Sequence, residues 1–400
     1  MKDPVAIYTA FLRHHPPPHL FWRSPEGEIW ITAGQQAPMQ PPSSPAWRDW
    51  LHGHAADACS LHGDMPTFFI FGFDPAQPTA GMWEGFPSAA LVCPAAAYHR
   101  VGDTETFLGM DAEDFPHEEE SGSTGGAFTE QGRITISEWD EERYRHTVGD
   151  GLSLLRGGEL QKIVLARSIR IALSAHFDVR RALRSMQLQP HAFSLCFSPD
   201  SSSYFLSATP ERLGRVCSGE FSTMALAGTL TRDEDSRGDP ETLLADAKER
   251  AEHAYVVEMI QEGIADFCSQ LSVDDVRLLD LPHVTHILTR IQGVLTDGYG
   301  LNDMIAALHP TPAVAGTPRE EACRSIAAIE PFSRGLYAGC IGWMNAAGDG
   351  DAAVTIRSAV VSGQGAHAFA GAGIVRESDP AEEERETRAK LQTVLDILGA

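Results

Sequence analysis

The 400-residue sequence has no apolar run approaching the roughly 18–20 residues that a membrane-crossing helix needs. Basic residues are scarce: 31 Lys and Arg stand against 55 Asp and Glu, giving a formal charge of −24. A surface of that sign repels phosphate backbones and anionic lipid, which argues against nucleic acid and membrane as partners. The seven cysteines, Cys59, Cys93, Cys196, Cys217, Cys268, Cys323 and Cys340, are scattered, odd in number and free of any C-x-x-C. That excludes a disulfide framework and a zinc site, fits a reducing compartment, and predicts buried small hydrophobes. His14 and His15, like His52 and His54, have no partner at ligand spacing and are expected at the surface. No G-x-G-x-x-G, no G-x-x-x-x-G-K-[ST] and no G-x-S-x-G is present, so nucleotide binding and a serine nucleophile have no support. Met1 to Phe11 lacks a basic start and a long apolar core, because Asp3 and Pro4 interrupt it, and a cytoplasmic protein is expected.

What is present is ample apolar material, 43% of the chain, enough for one large domain or two medium ones. Residues 1 to about 110 read as short strands and turns, with strands at Thr67–Phe73 and Ala89–Cys93. Residues 111–132 are acidic, then Ser/Gly-rich, and read as a loop. Beyond residue 134 the signals sharpen. Helices are predicted at Trp139–Leu155 (capped by Ser137), Leu243–Phe267, Met304–Leu308, Arg319–Ile329 and Glu382–Leu398, the last started by Ser378-Asp379-Pro380. Strands are predicted at Gln161–Arg167, Phe193–Phe197, Tyr204–Ala208, Leu213–Val216, Ala338–Trp343, Ala353–Val361 and His367–Val375. Runs of strands separated by single helices favour an α+β fold over a doubly wound sheet.

Chemistry concentrates in a few places. Glu249 and Glu252 lie three apart on one predicted helix, and Glu383 and Glu386 three apart on another. Residues at i and i+3 share a helix face. If the two faces meet, four carboxylates need a cation, and Mg²⁺ takes oxygen ligands. On pattern alone the commoner meaning is a pair of solvated helix starts. Lys162 sits against Ile163-Val164-Leu165. A lysine in apolar surroundings can lose its proton and act as a base, although an edge-strand lysine reaching water is the commoner case. Glu211 follows a strand at a turn, where a protonated carboxyl can serve as an acid or a charged one simply meet solvent. Arg357 lies in the predicted strand Val354–Ser358 and wants a carboxylate, from a ligand or from a structural ion pair. The glycines of Phe369–Val375 either admit an anion to bare backbone N–H groups or mark a β-bulge.

Taken together, these segments resemble the chorismate-utilising family of isochorismate, anthranilate, aminodeoxychorismate and salicylate synthases. The matching stretches are Lys162–Arg167, Ser207–Leu213, Leu226–Thr229, Lys248–His253, Leu308–Gly316, Glu330–Phe332, Gly335–Trp343, Val354–Arg357, Phe369–Val375 and Glu383–Thr387. They run in family order over roughly residues 135–400, while residues 1–130 form a divergent part without a quotable motif.

The resemblance implies one chorismate-binding domain over residues 1–400: two large antiparallel sheets packed as a sandwich with helices around them, and 111–132 as a surface loop. It implies Mg²⁺ on Glu252 and Glu386, with Glu249 and Glu383 acting mainly through water. The ring carboxylate of chorismate would meet the metal. Tyr337, Arg357 and the Gly373 backbone would hold the enolpyruvyl carboxylate, with Lys390 facing the bound carboxylate. Lys162 would be the base and Glu211 the acid, and His286 and Thr229 match positions near the ring. A lysine at 162 speaks against the anthranilate branch, and Ala227 against the aminodeoxychorismate branch. The remaining choices point to the isochorismate-forming branch, where a monomer is the default, with salicylate synthases as the alternative. Tyr337, where many of that branch have Phe, and Glu384, where many have Trp, depart from its pattern. The alternatives from other classes are an inactive relative that binds chorismate or a partner protein, and an acidic scaffold with its carboxylates apart.

Overall fold

The chain begins with a helix, Pro4–His14, where strands and turns are expected. Asp3 caps it by accepting from the Val5 N–H at 3.0 Å, and Pro4 takes the first helical position, where a missing N–H costs nothing. Asp3-Pro4 is therefore a helix-start signal. The computed structural model describes residues 1–35, 38–39, 46–51, 65–110, 134–138, 140–174, 177–231, 240–363 and 365–399. The expected loop at 111–132, together with His52, His54 and Cys59, lies outside them.

Two antiparallel sheets, of eleven and ten strands among the described residues, carry the fold. The first runs Gly316–Thr317, Lys162–Leu173, Gly365–Ile374, Ser358–Ser362, Tyr204–Thr209, Phe193–Ser198, His19–Arg23, Ile29–Ala33, Ala96–Val101, Thr104–Leu108, with Ile134–Glu138 also paired to Lys162–Leu173. The second runs Cys268–Val273, Val284–Leu295, Glu220–Thr231, Arg212–Cys217, Gly350–Val354, Cys340–Met344, Thr67–Phe71, Ala89–Val92, Pro38–Met39, with Arg277–Asp280 beside Val284–Leu295. Strands before residue 110 thus complete both sheets.

Alternation along each strand sets the layers. Leu20, Trp22 and Trp30 face the second sheet, where Trp30 meets Phe68 edge-on at 5.9 Å and Trp22 meets Trp343 at 6.4 Å. Phe21, Ile29 and Ile31, one residue out of phase, face a helical layer with Val5, Tyr8, Leu183, Leu391 and Leu395. The result is helices, sheet, core and sheet, as expected for α+β.

Several elements differ from the sequence reading, each for a local reason. Ser137 is in the strand Ile134–Glu138, and the helix starts behind Asp140, at Glu141–Gly157. The long helix expected at 243–267 is broken: Glu241–Ala245 ends at Asp246, which turns extended and caps Ala247–Ile264 by accepting from Lys248 N at 2.8 Å and Glu249 N at 3.1 Å. A 3₁₀ turn, Ala265–Phe267, finishes it. Helix Val179–Gln187 and the strands Glu220–Thr231 and Val284–Leu295 are additional. The cysteines are not uniformly buried either: Cys93, Cys196 and Cys340 are, Cys268 and Cys323 are half-buried, and Cys217 is exposed. His14 is exposed, but His15 is half-buried against Phe11.

The expected strand at 353–361 is two strands. Gly350–Val354 belongs to the second sheet and Ser358–Ser362 to the first, so Thr355-Ile356-Arg357 is a crossing between sheets. Arg357 turns the corner with φ +50°. Pro210-Glu211 makes the matching crossing between Tyr204–Thr209 and Arg212–Cys217. The two crossings are bonded to each other, Val354 N to Glu211 O at 3.0 Å and Ala208 N to Arg357 O at 3.2 Å.

The closing helix Pro380–Leu398 is capped by Asp379, which accepts from Ala381 N at 2.9 Å and Glu382 N at 3.1 Å. Asp379→Ala is expected to lower stability by about 1 kcal/mol in urea unfolding, the usual worth of such a cap.

Candidate active site

A cleft opens where the crossings meet the edges of both sheets. Eight of the twelve residues expected in the site line it: Glu211, Thr229, Glu252, His286, Tyr337, Arg357, Gly373 and Lys390. Of the other four, Lys162, Glu249 and Glu386 touch lining residues, and Glu383 is tied to Glu249 through Lys248.

Lys162 begins the strand Lys162–Leu173 and is fully buried. Its Nζ lies 3.0 Å from Glu252 Oε1, an ion contact without hydrogen-bond geometry. It is not an edge lysine reaching water. Removing either charge would strand the other in the interior, at a cost of about 3–5 kcal/mol. Room for the pair comes from Gly373, where a Cβ would sit 2.0 Å from Glu252 Oε1 and 3.0 Å from Lys162 Cε. The glycine strand contains no bulge here: Gly371 and Gly373 pair in register with Ala166 and Val164. These glycines clear space for side chains, and a Cβ at Gly371 would meet the Tyr337 hydroxyl at 2.8 Å.

Glu211 is buried at the sheet crossing and accepts from Thr311 Oγ1 at 3.3 Å. Burial pushes its carboxyl up to about 7, against the pull of Lys162, Lys390 and Arg357. A carboxyl in that range holds a proton that it can give. Arg357 is buried opposite, and its Nη2 donates to His286 Nε2 at 2.8 Å. That bond fixes the tautomer: Nδ1 carries the proton and faces Gly228 O at 3.3 Å and Thr229 Oγ1 at 3.1 Å. Burial and Arg357 press His286 well below the usual imidazole range, so it is neutral. Among the described residues no carboxylate lies within ion-pair distance of Arg357. Burial lowers its guanidinium to about 10. A buried cation with a neutral partner, lining a cleft, is a place for an anion that comes from outside.

The carboxylates do converge. Gly228, at φ +80°, bulges its strand and turns the Thr229 N–H onto Glu249 Oε2 at 2.6 Å. Lys248 Nζ crosses from one helix start to the other, 2.8 Å from Glu383 Oε1 and 3.3 Å from Glu249 Oε1. Lys390 Nζ donates to Glu386 Oε1 at 2.5 Å and to Gly371 O at 3.0 Å. Burial, then mutual repulsion, raises Glu249 to about 7 and Glu383 to about 8. Among the described residues no three carboxylate or imidazole groups stand ready as a metal cage. The donor set is nonetheless all carboxylate, held as a negative excess of four Glu over three Lys, which suits a hard divalent cation.

Reasoning from sequence did not find three supports. Lys248 lies inside a matching stretch but carries no assigned role. Glu330 accepts from Ala166 N at 2.7 Å and pairs with Arg334, which donates to Val314 O and Val164 O at 2.8 Å each, so one buried pair fixes two walls of the cleft. Glu384 is buried among Arg167 at 2.9 Å, Arg388 at 3.1 Å and Arg145 at 3.4 Å, away from the cleft. Its departure from the family pattern is thus a matter of local charge pairing. Tyr337, the other departure, does line the cleft.

Comparison with known proteins bears directly on this arrangement. The family described as chorismate binding enzyme matches residues 1–399. The chain belongs to that family. It is 34% identical over 355 residues to the salicylate biosynthesis isochorismate synthase of Pseudomonas aeruginosa, covering 82% of this chain and 73% of the relative. It is 29% identical over 431 aligned residues to isochorismate synthase MenF of Bacillus subtilis, covering 99% and 91%. Its fold matches the solved menaquinone-specific isochorismate synthase MenF of Escherichia coli with a TM-score of 0.79 and 26% identity, over 99% of this chain and 91% of that one. No described helix is long and apolar enough to cross a membrane.

The buried Glu211 carboxyl has a pH signature. Below its ordinary value of 4.5 it is neutral in both folded and unfolded chains and costs nothing. As pH rises the unfolded chain ionises first, so the native state loses stability until about pH 7, where the folded carboxyl also ionises. Glu211→Gln, which keeps the Thr311 contact, should therefore raise stability by about 1–3 kcal/mol at pH 8 and change little at pH 4, read by urea unfolding.

Proposed function

We propose that this chorismate-binding enzyme is a Mg²⁺-dependent isochorismate synthase, which exchanges the ring hydroxyl of chorismate between C4 and C2 with water. The observation that carries the reading is one cleft holding a buried carboxyl raised to about 7, an adjoining buried lysine and a buried arginine with no carboxylate at ion-pair distance among the described residues. Those are an acid, a base and a carboxylate receptor.

Arg357 and Tyr337, with the Gly373 N–H, hold the enolpyruvyl carboxylate, and His286 keeps the guanidinium aimed because its tautomer can only accept from it. Lys162, in its neutral amine form, takes a proton from the water that attacks C2. Glu211 gives its proton to the departing C4 hydroxyl, and its burial, which raises the carboxyl to about 7, keeps a share of the acid form available near neutral pH. Thr229 bounds the ring beside His286, and Lys390 presents a second cation to the substrate. Glu252 and Glu386 would hold Mg²⁺ directly, with Glu249 and Glu383 acting through water. When bound, the ion supplies positive charge that neutralises the ring carboxylate. Water, ring and acid held in line provide the rest of the rate.

Tyr337 at the cleft wall favours a second reading, a salicylate synthase that goes on to eliminate pyruvate. Incubation with chorismate and Mg²⁺, followed by separation of products, decides between them. Isochorismate is expected to dominate, and a majority of salicylate plus pyruvate would move the assignment. Lys162→Ala is expected to cut turnover by about 100-fold or more, and to lower stability as well because Glu252 is left unpaired. Because the acid form of Glu211 exists below about pH 7 and is lost above it, turnover should fall on the alkaline side of that value. Glu211→Gln should abolish that turnover at every pH.

A further inference from the structure

Lys248 contradicts its local surroundings. It stands in the first turn of Ala247–Ile264, where the positive end of the helix disfavours a cation. Its side chain is 20% exposed and runs across to a second helix start, which is likewise the positive end of its helix. Glu383 on that second helix explains the path: the ammonium lies 2.8 Å from it and 3.3 Å from Glu249 of its own turn, and so bridges the two.

We propose that Lys248 is the resident counter-cation of the four-carboxylate cluster: it latches the two helix starts together while no divalent ion is bound, and yields its carboxylates when one binds. The proposal rests on the Mg²⁺ reading above. Its logic is charge. Glu249 and Glu383 face each other across two helix starts in a buried region, and without a positive group they would force the helices apart. A divalent ion among the same carboxylates repels the ammonium, so the two cations compete for one negative field. Lys162 and Lys390 occupy comparable positions on Glu252 and Glu386, but both adjoin the substrate cleft. Lys248 does not line the cleft, so its substitution probes the latch without removing a group that meets substrate.

The test compares wild type, Lys248→Met and Lys248→Arg by titration calorimetry with MgCl₂ alone, without chorismate, and by thermal unfolding in EDTA and in saturating Mg²⁺. Lys248→Met is expected to bind Mg²⁺ severalfold more tightly than wild type. It should unfold at a lower temperature in EDTA, with the gap narrowing when Mg²⁺ is added. Lys248→Arg, which keeps the charge, should follow wild type in both. A lysine with a merely structural role would lower the unfolding temperature equally in both conditions and weaken Mg²⁺ binding, and either result overturns the latch. So does unchanged Mg²⁺ affinity in Lys248→Met, or an Arg variant that behaves like Met. A wild type that takes up no Mg²⁺ sinks the metal reading itself and the latch with it.

Discussion

Like charges confined to a low-dielectric interior set the terms for this site. Glu249, Glu252 and Glu383 are buried and Glu386 is half-buried, on the first two turns of two helices whose starts Lys248 joins. Carboxylates so placed either take up protons or recruit cations. Both responses are visible: Glu249 and Glu383 are raised toward neutrality, and Lys162, Lys248 and Lys390 are drawn in. The chain carries a formal charge of −24, yet its cleft is walled by Arg357 and Lys390 with Lys162 behind. Arg357 and Lys390 thus give an anion cationic partners at the cleft wall despite the global charge.

The sandwich supplies what the charges need. Glu211 and Arg357 both stand where the chain leaves one sheet for the other, and backbone hydrogen bonds tie the two crossings together. A crossing is a place where side chains escape the strict in-and-out alternation of a strand. Here it lets an acid and a cation line one cleft. The Glu330–Arg334 pair does the equivalent for the walls, satisfying a strand N–H and two carbonyls that no neighbouring strand reaches. Glycine enters for room: at Gly373 any side chain would occupy the place of the Lys162–Glu252 contact.

The sequence was informative where short-range rules suffice. Asp379-Pro380 announces a helix, Arg319–Ile329 forms where its pattern predicts, and i, i+3 spacing puts each pair of glutamates on one face. It was misleading where tertiary context overrides a local pattern. Residues 243–267 read as one helix because the apolar period continues through Asp246, which breaks it to cap the second piece. Residues 353–361 read as one strand because both halves are apolar, although they belong to different sheets.

Of the site, the residue types, their order along the chain and the pairing of carboxylates by helical period were fixed by sequence, since each depends on neighbours only a few positions away. That Glu211 keeps a proton, that Arg357 rests on a neutral His286 rather than on a carboxylate, and that Lys248 spans to Glu383 were decided only by the folded chain. Those properties come from burial and from partners 71 and 135 positions away. Dielectric surroundings and long-range distances have no local signature in a linear chain.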